Sequence, residues 1–244
     1  MKSMILALSA VLIAAGTPAQ AQFSGLANKL GGGSASKADA DAVVKSGLGI
    51  AAFSAAASDL AVDAALQMLQ AFPDSKVAAI KSKFMKYNEL KAAGRKDGAL
   101  DANAVTLASD GFKEMEKLDP KGYEKAKASV VRPAYAKLGL ALLADGAAAA
   151  QIPTFTKASS EAISSLGSNP MQAGKLVQLK NTAATVSVLS KAIPEQVKSM
   201  ETVRTIAKKI AEAEQIKLGD PKVAFTSLDP KVLADSVKTV DIDG

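Results

Sequence analysis

Histidine, cysteine and tryptophan are absent from this sequence, and phenylalanine and tyrosine number only seven and three. Without histidine there is no Ser-His-Asp triad, no imidazole metal site and no imidazole pH switch. Without cysteine there is no thiolate nucleophile, thiolate metal site or disulfide, so a fold in an oxidising compartment has to be held by packing. Aromatics at 4% argue against a carbohydrate-stacking module and against the aromatic girdles of an outer-membrane barrel. No segment sustains a two-residue alternation with turn signals, so strands are not required.

What is present begins with a targeting pattern. Lys2 gives a minimal positive region, Met4 to Ala15 is apolar, and Ala19-Gln20-Ala21 supplies a small-x-small cleavage site. This predicts a signal peptide over residues 1–21, a mature start at Gln22 and export to a Gram-negative periplasm. The apolar run is shorter than the ~20 residues that a bilayer span needs. No cysteine follows the site to carry a lipid anchor. The formal charge of +6 is a mild basic excess, best read as serving solubility with transient anionic membrane contact as a lesser role. Nucleic acid is not an expected partner of an exported chain.

The stretch from Leu48 to Phe72 organises the rest. Asp59, Asp63, Gln67 and Gln70 fall on one stripe of a 3.6-residue helix, with Val62, Leu66 and Leu69 on another face. Carried backwards, the polar stripe meets only Ala56, Ala55 and Ala52, so the first half is apolar all round and has to be covered on every side. A second very apolar helix is expected from Ala134 to Ala150, where Lys137 and Asp145 are the only charges. It is the natural partner of the Leu48–Ala57 region, because small side chains let two backbones approach closely. Neither reads as an integral membrane span, given Asp59 and Asp63 in the first and the shortness of the second.

Around this pair the punctuation predicts further helices. Phe23, Leu26 and Leu30 suggest a short amphipathic arm before a Gly31-Gly32-Gly33 hinge, and Ser36 with Asp39 resembles a capping box that starts a helix near Lys37. Val77, Ile80, Phe84 and Tyr87 mark one stripe; Ala104, Leu107, Ala108, Phe112 and Met115 mark the next. Asp-Pro-Lys occurs at 119–121, 220–222 and 229–231; an Asp cap followed by Pro reads as a helix start each time. Pro153, Gly167 to Pro170, and Pro194 are expected to separate later helices. The expectation is an all-α bundle of about eight or nine helices. It comprises a flexible arm over 22–36 and two possible helical subdomains over 37–152 and 153–244.

Candidate chemistry is weak throughout. Asp59 with Asp63 is the obvious carboxylate pair, but it continues into a solvated stripe. Ser34-x-x-Lys37 matches the nucleophile pattern of penicillin-recognising enzymes without their other motifs. The triple glycine lacks the Gly-Lys-Ser/Thr of a phosphate loop, and Asp97, Asp101 and Asn103 miss EF-hand spacing. The Lys76–Lys96 helix could touch anionic headgroups, though lysines commonly solvate a bundle's outer face. No metal, cofactor or catalytic residue is assigned, and no family signature is present.

The remaining feature is an excess of slim, apolar helix. A groove lined by Leu48, Ile50, Phe53, Leu138 and Leu142, with Ser54, Ser58 or Tyr135 as a sparse polar end, would suit a long or flat apolar ligand. The expectation is therefore a non-enzymatic periplasmic carrier of an apolar lipid, such as a sterol, hopanoid or acyl lipid. The alternative is a structural or adaptor protein of the cell envelope, docked to a protein partner and solid inside.

Overall fold

A computed structural model describes residues 39–94, 102–119, 121–124, 128–167, 170–223, 225 and 227–239. The expected signal peptide, arm and glycine hinge and the Ser34-x-x-Lys37 match lie outside the described residues, as do Asp97 and Asp101 and the side chain of Asn103. Among the described residues there are six α-helices and no strand: α1 (Ala40–Met68), α2 (Asp74–Gly94), α3 (Ala102–Met115), α4 (Ala128–Leu166), α5 (Ala173–Ala213) and α6 (Pro230–Thr239).

Helix α1 starts at Ala40, not near Lys37. Asp39 is its N-cap, accepting a 3.1 Å bond from the Asp41 amide; this satisfies one of the free donors of the first turn. A 3₁₀ turn at Leu69–Ala71 and then Pro73 stop it. Val77, Ile80, Phe84 and Tyr87 of α2 are buried as their spacing predicts, and so are Ala108, Phe112 and Met115 of α3. Phe84 and Phe112 meet edge to face at 5.2 Å. Gly111 makes room for that contact, since a Cβ there would sit 2.6 Å from the Phe84 ring.

Helices α1 and α4 run antiparallel as the central pair. Gly47 lies against Phe155, Ser54 reaches Asp145, and Asp63 pairs with Lys137, so ascending positions on one helix meet descending positions on the other. The approach is tight at Gly47, where a Cβ would stand 2.4 Å from Thr182 Cγ2 and 2.6 Å from the Phe155 ring. Both helices have the length and apolarity to cross a membrane, yet 61% and 56% of their most apolar windows are buried inside the protein.

The proline breaks expected at Pro153 and Pro194 do not occur. Helix α4 continues through Pro133 and Pro153, and α5 through Pro194. An interior proline costs about 3 kcal/mol through a lost hydrogen bond and a clash. Residues on both sides of each proline are buried: Ala148 and Phe155 around Pro153, Ile193 and Met200 around Pro194. Keeping both flanks in the core outweighs the penalty. Merging these segments lowers the count, and six helices stand among the described residues where eight or nine were expected of the whole chain. The boundary expected between residues 152 and 153 falls inside α4, and one apolar cluster runs from Ala40 of α1 to Leu233 of α6.

Helix α5 ends in a Schellman arrangement. Gln215 takes a φ of 56°, with Gln215 N bonded to Glu212 O at 3.3 Å and Ile216 N to Ala211 O at 2.8 Å. The three Asp-Pro-Lys sites then have three fates. Asp229 caps α6 by accepting from the Lys231 amide at 2.9 Å. Asp119 accepts from the Lys121 amide and closes a single turn, with no helix until Ala128 among the described residues. Asp220 starts no helix. The described residues between 214 and 229 form an irregular strap, whose Pro221, Phe225 and Leu228 reach α4 and α1.

Candidate functional site

Two features of the α1–α4 pair carry chemistry. The first is a polar node inside the core. Asp145 is fully buried, and its Oδ1 accepts a 2.9 Å bond from Ser54 Oγ. Ser58 Oγ donates to the Ser54 carbonyl at 2.9 Å and receives Gln196 Nε2 at 2.7 Å. The chain of bonds ties α1, α4 and α5 together. Asp145 Oδ2 has no partner. Burial disfavours the charged carboxylate and pushes its pKa up to about 7, while the Ser54 bond opposes the rise. Among the described residues, no group of three acidic side chains gathers to hold a metal.

The second feature is the apolar face beneath the strap. Phe225, buried, meets Phe53 edge-on with ring centroids 5.0 Å apart. Pro221 sits on Gly139, where a Cβ would come within 2.9 Å of its ring, and Leu228 covers Gly49. Asp220 pairs with Arg204 of α5, whose guanidinium lies 4.1 Å over the Tyr135 ring. A Cβ on Gly139 would also stand 3.2 Å from an Arg204 terminal nitrogen, so the missing side chain admits both the proline and the cation. Burial raises the Tyr135 pKa, Arg204 opposes the rise, and Asp220 adds to it. Arg132 Nε anchors the start of the strap by donating to the Lys217 carbonyl at 3.0 Å.

The residues expected to line a ligand groove are dispersed between these features. Phe53 and Tyr135 lie at the strap, and Ser54 belongs to the polar node. Ile50 and Leu138 are fully buried, Leu142 is half-buried, and Leu48 is 52% exposed. Sequence reasoning passed over Asp145, Arg204, Asp220 and Phe225. Only Asp145 left a signal, as a lone acid in an apolar run; the other three are defined by contacts distant in sequence.

The remaining candidates resolve into ordinary ion pairs. Asp59 accepts from Tyr87 Oη at 2.6 Å and pairs with Lys91 at 2.8 Å, while Asp63 pairs with Lys137, so the two carboxylates serve different helices. Lys81 and Lys83 of the basic α2 pair with Asp74 and Glu114. No known family, curated protein or solved structure matches the chain.

Proposed function

We propose that the protein is an exported, non-enzymatic carrier of an apolar lipid in the periplasm, with its binding face on α1 and α4 beneath the strap. The observation that carries this reading is the cover over Phe53. A solid bundle seals the face between two apolar helices with another helix, whose backbone bonds are satisfied internally. Here the seal is irregular chain, whose contacts with the helices include an edge-on ring, Pro221 on Gly139, Leu228 on Gly49, one main-chain bond and an ion pair whose Asp220 side chain is 71% exposed. Among its described residues few backbone hydrogen bonds are internal, which puts such a segment toward the low end of local stability. Lifting it uncovers Phe53 and the Tyr135–Gly139 turn of α4, an apolar surface with a sparse polar edge. The lack of histidine and cysteine supports a binding role over catalysis.

A second reading, a structural or adaptor protein of the envelope docked to a protein partner, is favoured by the contact at Gly47. There α1, α4 and α5 meet too closely to admit a guest. Native mass spectrometry and lipid extraction of the purified protein separate the two. Co-purifying or exchangeable sterol, hopanoid or acyl lipid is the result expected of a carrier. A ligand-free protein with no thermal shift across those lipids leaves the adaptor.

A further inference from the structure

The strap presents an acid at one point and an apolar ring a few residues on. Asp220 engages the Arg204 cation, and Phe225 fills the seat on Phe53. The two seats are separated along α4: Asp145 lies opposite Ser54, so Phe53 is level with the α4 turn after Asp145, whereas Arg204 and Pro221 meet α4 at Gly139. At ~1.5 Å per helical residue the separation is roughly 12 Å. Along the chain, Leu142 lies between the two seats on α4 and Val223 between them on the strap, and both are half-buried against the core.

Arg204 is not satisfied by Asp220 alone. Its terminal nitrogen holds the carboxylate, but its Nε is buried and has no acceptor. A buried donor left unpaired costs free energy, and a carboxylate lying across Nε and a terminal nitrogen would satisfy both in the bidentate geometry that guanidinium favours. Tyr135 and Gly139 hold the guanidinium plane in place, so the unused donor is pre-positioned.

We infer that the strap is an internal stand-in for the ligand, and that the ligand is an acyl chain ending in a carboxylate. Its acid group takes the place of Asp220 on Arg204, and its chain takes the place of Phe225 on Phe53. This rests on the carrier reading and narrows it: a sterol or hopanoid bears no anion for Arg204. Exchange is favoured on two counts. Asp220 is 71% exposed, so water solvates its carboxylate as soon as it leaves Arg204. The incoming carboxylate gains the bond to Nε that Asp220 does not make.

The test is titration of the purified protein with dodecanoate and with dodecanol, followed by calorimetry at neutral pH. Dodecanoate should bind at least about tenfold more tightly than the alcohol. Arg204→Gln should abolish that preference, so that acid and alcohol bind the variant alike. Asp220→Asn and Phe225→Ala, which remove the two halves of the stand-in, should each tighten dodecanoate by about tenfold. Asp220 is exposed, so its variant tests the idea even if Phe225→Ala unfolds. Saturation with dodecanoate should also speed amide exchange over residues 215–223. Equal affinity for acid and alcohol, or an acid preference that survives Arg204→Gln, overturns the inference and leaves the carrier standing. Weaker dodecanoate binding by Asp220→Asn overturns it too. No binding of either compound by wild type or by Phe225→Ala overturns the carrier reading as well.

Discussion

Ser54 Oγ donates a 2.9 Å hydrogen bond to Oδ1 of Asp145, joining positions 91 residues apart in the middle of the central helix pair. The other carboxylate oxygen is buried and unpaired. No charged side chain contributes to the Asp145 shift; burial and the Ser54 hydroxyl are its causes. The neighbouring charges are engaged elsewhere: Asp59 with Lys91 and Asp63 with Lys137 on α1, Arg204 with Asp220 on α5.

That arrangement sets a pH dependence of stability. The folded-state pKa of Asp145 is raised from 3.8 to about 7, so the native state holds its proton more tightly than the unfolded chain does. The stabilisation from the neutral acid is complete below about pH 3.8 and is lost as pH rises through about 7. At ~1.4 kcal/mol per pKa unit the span is at most about 4 kcal/mol. Urea denaturation across this range should show Asp145→Asn losing that part of the slope while wild type keeps it. Parallel curves for the two proteins would contradict the assignment.

Ser54→Ala should shift the same transition upward. The hydroxyl donates to the charged carboxylate and holds its pKa down, so removing it leaves burial unopposed. The measurement is the midpoint of the pH-stability curve, which moves to higher pH in the variant.

Two glycines of the central pair should respond in opposite directions. Gly47→Ala places a methyl 2.4 Å from Thr182 Cγ2 and should cost about 1–3 kcal/mol. Gly146 in α4 has no such neighbour within 4 Å, and Gly146→Ala should stabilise by roughly 0.5–1 kcal/mol through helix propensity. Thermal melts of the two variants against wild type check both signs.

Asp229→Ala should remove the cap of α6 and cost about 1 kcal/mol, with faster amide exchange confined to the start of that helix. Asp119→Ala breaks the same type of side-chain bond in a single turn, and it should leave exchange in α6 unchanged.

The all-helical class and the apolar stripes of α2 and α3 were legible because helical periodicity is a local property. Val77, Ile80, Phe84 and Tyr87 lie on one face whatever the rest of the chain does, and so do Ala108, Phe112 and Met115. The pairing of the two alanine-rich helices was legible for a related reason: segments without a polar face have to cover each other. Helix ends were less so. Pro153 and Pro194 carry a local penalty, and only the burial of both flanks by other helices reverses its effect.

The fates of Asp145, Asp220 and Phe225 were decided by tertiary structure alone. Asp145 stood in the sequence only as one of two charges in an apolar helix, and it is burial in the fold that raises its pKa. Asp220 carries the same tripeptide as Asp229, yet its carboxylate goes to an arginine 16 positions earlier instead of to a helix start. The sequence by itself determined that this chain is helical and which faces are apolar, since those follow from residue spacing. Which polar groups are buried together, and which segment closes over Phe53, depend on distances between residues far apart in the chain, and only the folded arrangement sets those.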